Sequence, residues 1–281
     1  MADLRQSPDW ANYLKSINWK IEKINNIYIY IKYFPVLGSF VKLQRSEILN
    51  QKIITFIENK YHPFQFSIEP GVYPRHPERV LRVEGFHPSN SPSLPTKTLI
   101  INLNKSENEL LKSFSQKVRY NITRTSFLKR VEIVESDNVL DFTNFWRENF
   151  EKNRFPFFSQ QKNIIAMQKS FGENSKILLA KKDNKIIAVL FLLFFDKVSY
   201  YMYAAANNEG RKNFAPTLLT WHAILLSKKL GMKTFDFDGI YDTRFPLESW
   251  QGFTKFKSGF SKTEVSYPGL FVKSKFNIKI F

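Results

Sequence analysis

The chain has no cysteine, which excludes disulfides, thiolate metal sites and a cysteine nucleophile together. Histidine is almost as scarce. His62, His76 and His87 stand near prolines in expected loops and His222 falls in an expected helix. No zinc spacing arises from them, so no metal is expected. Long apolar runs are missing as well. The longest, from Ile186 to Phe195, is too short for a bilayer-spanning helix of about 20 residues. The opening residues MADLRQSPDW contain acid and no apolar run, so a secretory leader is not expected. A cytoplasmic protein is the expectation, with room for peripheral contact at the inner membrane face. Acidic residues are few beside basic ones: 25 against 42, a formal net charge of +17. A field of that sign concentrates polyanions such as nucleic acid, anionic lipid or a nucleotide-linked substrate. Abundant Lys, Asn, Ile and Phe together also fit a coding bias that inflates lysine without purpose, so charge alone decides nothing.

What is present is a globular composition. Of 281 residues, 43% are hydrophobic and 24% charged, enough for one large domain or two modest ones with buried cores. A helix is expected around Trp10–Ser16, then a strand over NIYIYIKYF (Asn26 to Phe34), whose aromatic and β-branched residues suit a pleated surface. A second helix carries Leu49, Ile53, Ile54 and Ile57 at helical spacing. A proline-punctuated stretch from His62 to Pro95 follows, and TLIINL (Thr98 to Leu103) is expected as a strand closing this first unit.

Ser106 and Glu109 form a capping-box pattern that opens an expected helix running to about Lys129, with Leu111, Phe114, Val118, Ile122 and Thr125 as its apolar stripe. A strand (VEIVE) and a helix (Leu140–Lys152) come next. The strands KILLAKKD and KIIAVLFLLFF meet at an Asp183–Asn184 turn, and VSYYMYAAA precedes a long helix with Pro216 in its first turn and Gly231 at its end. A final strand, KTFDFDGI, alternates Phe235 and Phe237 with Asp236 and Asp238. The order helix, strand, helix, three strands, helix, strand is that of an N-acetyltransferase-like fold.

Three segments carry candidate chemistry. In KVRYNITR, Lys117, Asn121 and Arg124 share one helix face, and two cations with an amide suit a phosphate or carboxylate; a merely solvated face is the alternative. At the junction from Tyr200 to Ile224, only Gly210 is available for a phosphate-cradling loop and Pro216 removes a donor amide. Coenzyme A is therefore a poor fit, and a different acyl carrier is expected. In ESWQGFTKFKSGF, Lys255 and Lys257 compete for a role in stabilising an oxyanion, with a hairpin bearing solvated lysines as the alternative. Asp236 and Asp238 are candidates for orienting an amine or for holding the loop that follows. Tyr203 and Trp221 face substrate or belong to the core.

These segments, taken in order, resemble the Fem-type (FemABX) aminoacyltransferases that build peptidoglycan interpeptide bridges. The resemblance rests on RQSPDWANYLKSINW, LIINLNKSENELLKSFSQKVRYNITRTS, YMYAAANNEGRKNFAPTLLTWHAILLSKKLGMKTFDFDGI and FTKFKSGF, and it covers nearly the whole chain. It implies an α+β protein of two GNAT-like (N-acetyltransferase-like) subdomains with mixed sheets, flanking helices and a cleft between them. Residues 1–105, joined by the tail 268–281, form the first, and residues 106–267 the second. It implies transfer of an amino acid from aminoacyl-tRNA, the co-substrate, to the stem peptide of UDP-MurNAc-pentapeptide or lipid II, with no separate cofactor. By the same resemblance Lys257, after Phe256, stands at the reacting carbonyl and Asp236 occupies the aspartate of the family's Y-D-F-x-G-I segment. Lys15 and Arg154 resemble the residues that hold the precursor's diphosphate. The chain departs from the family where Ser261 and Lys262 replace a glycine pair, where Arg45-Ser46 stands for Arg-Gly-Pro, and in lacking a coiled-coil arm. Two other readings stand beside it: an N-acyltransferase with another acyl donor, and a non-catalytic module binding tRNA or cell-wall precursor.

Overall fold

A computed structural model describes residues 2–46, 50–71, 85–128, 130–151 and 160–275. In chain order its elements are α1 (Pro8–Ser16), β1 (Lys20–Ile24), β2 (Ile27–Phe34), β3 (Gly38–Ser46), α2 (Gln51–Tyr61), β4 (Pro63–Pro70), β5 (His87–Ser89) and β6 (Lys97–Asn102). There follow α3 (Glu107–Ser113), α4 (Gln116–Leu128), β7 (Glu132–Ser136), α5 (Val139–Trp146) and α6 (Gln161–Phe171). The remainder is β8 (Ser175–Lys182), β9 (Lys185–Phe195), β10 (Val198–Ala206), α7 (Asn208–Lys212), α8 (Ala215–Lys229), β11 (Thr234–Asp236), α9 (Gln251–Lys257), β12 (Thr263–Ser266) and β13 (Leu270–Ser274). The chain divides into two compact units: residues 1–97, 241–248 and 265–281, and residues 98–240 and 249–264.

The first unit is built on a six-stranded sheet ordered β1-β2-β3-β4-β13-β5. β3 and β4 are parallel, so the chain must cross over between them, and α2 is that crossover. Asn50 starts α2 by accepting the Ile53 N–H at 3.1 Å, and Ile54 and Ile57 turn inward onto Ile29, Ile31, Val41 and Leu43. Ser7 caps α1 in the same way, accepting from the Trp10 N–H at 3.0 Å.

The second unit carries a seven-stranded sheet ordered β12-β6-β11-β10-β9-β8-β7. β9 is the apolar run Ile186–Phe195, and it is apolar throughout because both its faces are covered. Leu190, Leu192 and Phe194 join a cluster with Phe114, Val118 and Leu218, while Phe191 meets Phe142 of α5 with ring centroids 5.8 Å apart. Asp183 and Asn184, both at positive φ, make the tight turn between β8 and β9. β10 runs parallel to β11, and α8 makes the crossover.

Several elements differ from the sequence expectation. TLIINL lies in the second sheet, where Ile101 of β6 faces Phe235 of β11. The helix expected from Ser106 to Lys129 breaks in two at Phe114, whose ψ of 158° is extended. The capping box is present, with Ser106 and Glu109 exchanging both bonds, but Ser115 then donates its N–H to the Gly259 carbonyl at 2.8 Å. That tertiary bond and the burial of Phe114 against Trp221 and Phe260 outweigh helix continuity. KTFDFDGI is a strand only over Thr234–Asp236. The segment around Lys257 is a short helix, α9, and α6 lies in a stretch given no element from sequence. Leu49 falls outside the described residues. No helix among them is long and apolar enough to cross a membrane.

Candidate active site

The site is assembled where β11 ends. After Asp236 the chain turns sharply through Asp238 at φ 49° and Gly239 at φ 121°. Asp is among the few side chains that tolerate this left-handed region. A small polar network fixes the turn. The Asp236 carboxylate accepts the Thr98 hydroxyl at 2.5 Å and the Asp238 N–H at 2.8 Å. The Gly239 N–H donates to the Thr98 oxygen at 3.2 Å. Thr98 sits on the neighbouring strand β6, so the pairing of β6 with β11 is what delivers its hydroxyl.

Lys257, in the last turn of α9, completes the network from the other side. Its Nζ donates to the carbonyls of Phe237 and Gly239, each at 2.8 Å, and lies 4.8 Å from the Phe253 ring centroid and 5.3 Å from that of Tyr201. The side chain is only 8% exposed. Burial pushes its pKa down to about 8, against the opposing pull of Asp238 and then Asp236. An ammonium has three donors; two end on these carbonyls, and one remains for an oxygen in the adjoining cavity. Tyr201, buried beside it, has its phenol pushed up to about 12 by burial, partly offset by a hydrogen bond with Thr220.

The cavity holds about 610 Å³ and is bounded by Trp146, Tyr203, Asp238, Trp250, Phe253 and Phe256, with Lys257 at its base. Tyr203 is held by Trp146, edge to face at 5.5 Å, and by Phe191, stacked at 6.5 Å. The apolar rings lower the local dielectric beside the lysine, and its field is stronger there than in water.

Lys257, Phe256 and Tyr203 thus come together, and Lys255 is exposed on the outer side of α9. Asp236 is buried behind the cavity, bonded within the turn; Asp238 is the carboxylate of the cavity wall among the described residues. The shared strand face expected for these two aspartates is absent because the strand stops at Asp236. The face expected for Lys117, Asn121 and Arg124 is also divided. Lys117 and Arg124 are exposed, with Arg124 bonded to the Tyr120 hydroxyl at 3.2 Å, whereas Asn121 is 6% exposed and belongs to the buried side of α4. Lys15 is exposed on α1 in the first unit. Arg154 lies outside the described residues. Trp221 is core, against Phe114. Gly210 serves packing: a Cβ there would stand 2.1 Å from the Ile187 carbonyl oxygen. Among the described residues no group of His, Asp and Glu is arranged to hold a metal ion.

Sequence reasoning missed Trp146, Phe150 and Trp250 as cavity residues. The nearness of Trp250 to Lys257 in the chain was a signal for that residue, and Trp146 and Phe150 had none.

A match to known proteins follows this geometry. Residues 159–279 match the model of the FemAB family. The segment contains Tyr203, Asp236, Phe256 and Lys257, and the Fem-type resemblance seen in the sequence is borne out. The structure of FemX aligns with a TM-score of 0.80 at 16% identity, covering 97% of this chain and 92% of that one. L-PGS from Bacillus licheniformis aligns at 0.60 and 12% identity, covering 95% and 87%. A tandem GNAT protein from the clavulanic acid biosynthesis pathway aligns at 0.50 and 8% identity, covering 88% and 82%. At such identities the likeness is one of fold: α+β, with two mixed sheets flanked by helices, GNAT-like. No curated protein matches the chain by sequence.

Proposed function

We propose that this protein is an aminoacyltransferase that takes an amino acid from aminoacyl-tRNA and adds it to the stem peptide of a peptidoglycan precursor, UDP-MurNAc-pentapeptide or lipid II. The observation that carries this reading is Lys257: a buried ammonium anchored on two carbonyls at the base of an aromatic cavity, within the segment that matches the FemAB family.

The chemistry runs as follows. The neutral stem-peptide amine attacks the ester carbonyl carbon, a C–N bond forms, and the carbonyl oxygen takes up negative charge. Lys257 donates to that oxyanion from a fixed position, the arrangement in which a donor is worth most. The C–O bond to the tRNA ribose then breaks, the nitrogen gives up a proton and the ribose oxygen gains one, giving an amide and uncharged tRNA. Phe256 and Tyr203 form walls that keep water from hydrolysing the ester. Asp236 acts on the chemistry by holding the turn that carries Asp238 and Gly239. Lys15 and Arg154 are proposed for the precursor's diphosphate, and the exposed Lys117 and Arg124 for the phosphates of tRNA. On this reading the protein works in the cytoplasm, with peripheral contact at the inner membrane face.

Incubation with a mixed pool of charged tRNA and UDP-MurNAc-pentapeptide tests the reading by mass spectrometry. A precursor heavier by one aminoacyl residue supports it. An unmodified precursor, with lipid II also unmodified, removes it.

A further inference from the structure

We infer that the tip of the β2–β3 hairpin, Pro35 to Leu37, is a wedge that enters an anionic lipid bilayer, with lysines at the same end of the first unit as its electrostatic rim. The inference rests on the reading above for the place of a membrane in the protein's work, and on geometry for which element meets it.

Between β2 and β3 the chain turns through Pro35, Val36 and Leu37, all exposed. Val36 is exposed in full and Leu37 by 37%, and Tyr33 just before them is 56% exposed. The base of the hairpin is firm. Phe34 packs edge to face on Phe64 at 5.8 Å, Phe64 stacks on Phe40 at 6.3 Å, and Ser39 donates its hydroxyl to the Tyr61 carbonyl at 2.7 Å. An apolar tip is thus held out on an anchored stalk. Val36 stands at φ 71°, a region where a β-branched side chain is disfavoured and Gly or Asn sits at less cost. Nothing within the unit repays that choice, whereas an apolar phase outside it does.

The charge around the tip has one sign. Neither strand of the hairpin nor the turn carries an acidic residue. Lys32 donates to the Ile17 carbonyl at 3.0 Å, which brings the end of α1 and the start of β1 beside the tip. Lys275 donates its N–H to the Phe64 carbonyl at 2.9 Å, which brings the end of β13 there too. Lys15, Lys20 and Lys275 are exposed and stand in no ion pair with another described residue. Glu22 and Glu58, the acids on neighbouring elements, are taken up by Lys60 at 2.9 Å and Lys273 at 2.7 Å.

Apolar side chains beneath a rim of lysines are the pattern of an interfacial anchor on anionic lipid. Tyr33 suits the headgroup level, with an apolar ring and a polar tip. A stable protein partner needs about 800 Å² on each side, far more than a three-residue turn offers, whereas a wedge needs no more. Lys15, proposed above for the precursor's diphosphate, lies at this same end of the unit, so a docked hairpin sets it near the headgroups where the diphosphate of a lipid-linked acceptor lies.

The test is sedimentation of the full chain with vesicles of equal parts phosphatidylcholine and phosphatidylglycerol, and with phosphatidylcholine alone. The wild type binds the anionic vesicles and releases them as salt is raised. The double substitution Val36→Asn with Leu37→Ser, whose asparagine suits the left-handed turn, weakens binding by about tenfold or more. Lys20→Gln and Lys275→Gln each weaken it by about fivefold. Because the chain has no cysteine, Val36→Cys accepts a single environment-sensitive dye. Its emission shifts to the blue on the anionic vesicles, while the same dye at Lys23→Cys, near the opposite end of β1, does not shift. No binding by the wild type, equal binding by the double variant, or an unmoved dye at position 36 overturns the inference. So does a concentration-dependent dimer that the double substitution abolishes, since the tip would then meet a second copy. Failure to transfer from any charged tRNA would count against the proposed reaction, and the vesicle measurements would still decide the role of the hairpin.

Discussion

Lys257 Nζ stands 2.8 Å from the carbonyl oxygen of Gly239, so the lysine is tied to the turn that follows β11 and its charge is delivered to one place. The same bond makes α9 and the end of β11 a single piece of machinery. A donor held in this way needs no reorganisation when an oxyanion forms beside it.

Replacing Lys257 by Met removes that donor while keeping the apolar stem. Transfer is expected to fall by about 10²–10³-fold, with circular dichroism showing that the fold persists. Lys255→Met, on the exposed side of the same helix, changes the rate by less than about twofold, since surface substitutions of this kind disturb little. Comparable losses in the two variants would remove Lys257 from its role.

The depressed pKa of Lys257 gives a pH dependence with a definite sign. The side chain titrates at about 8 in the folded protein instead of 10.5. As a cationic donor it is lost with rising pH, so kcat/KM falls on an alkaline limb centred near 8. Stability moves the other way. Between about 8 and 10.5 the unfolded chain binds the extra proton, so raising the pH favours the folded state. Across that window the wild type gains up to about 3 kcal/mol over Lys257→Met, read as the difference between their denaturation curves at the two ends.

Thr98→Val tests the network that shapes the turn. It deletes one donor to the buried Asp236 carboxylate, which keeps the Asp238 N–H, and removes the hydroxyl that accepts the Gly239 N–H. A loss of about 1–3 kcal/mol is expected, visible as a lower denaturant midpoint, together with reduced turnover from a turn that no longer fixes Asp238.

Gly210→Ala separates packing from ligand binding at the junction before α8. The added methyl would collide with the Ile187 carbonyl oxygen, and forcing strand and helix apart costs about 1–3 kcal/mol. The thermal midpoint drops while the KM values of the remaining folded protein stay near those of the wild type. A specific rise in KM for one substrate would instead show that Gly210 contacts it.

How much of this was legible in the sequence depends on how local the determining interaction is. The Ser106–Glu109 capping box, the Asp183–Asn184 turn and the long helix with Pro216 at its start are set by residues within a few positions of each other, and each is where the pattern put it. The doubly buried β9 was equally plain as an unbroken apolar run. The break at Phe114 was hidden because it depends on Gly259 and Phe260, far along the chain. The sheet to which β6 belongs was hidden for the same reason: TLIINL reads as a strand without naming its partner. Ile164, Met167 and Phe171 of α6 carry a helical spacing, but Gln160 before them makes no side-chain cap, and no start signal stands out. In the site, Lys257 was singled out by resemblance beside Lys255, and of the two it is the buried one that lines the cavity. That Asp238 lines the cavity while Asp236 is buried in the turn was not legible, because it follows from where a three-residue strand ends. Trp146, Phe150 and Trp250 look like core residues in sequence, since a cavity wall and a core wall use the same rings.

The most direct measurement is transfer of radiolabelled amino acids from a mixed charged-tRNA pool to a muropentapeptide precursor, nucleotide-linked or lipid-linked, with and without ribonuclease, in the wild type and in Lys257→Met. Label on the precursor that disappears with ribonuclease and with the Lys257 substitution is the predicted result. Label that survives ribonuclease, or no label on either precursor with the wild type, would contradict tRNA-dependent aminoacyl transfer.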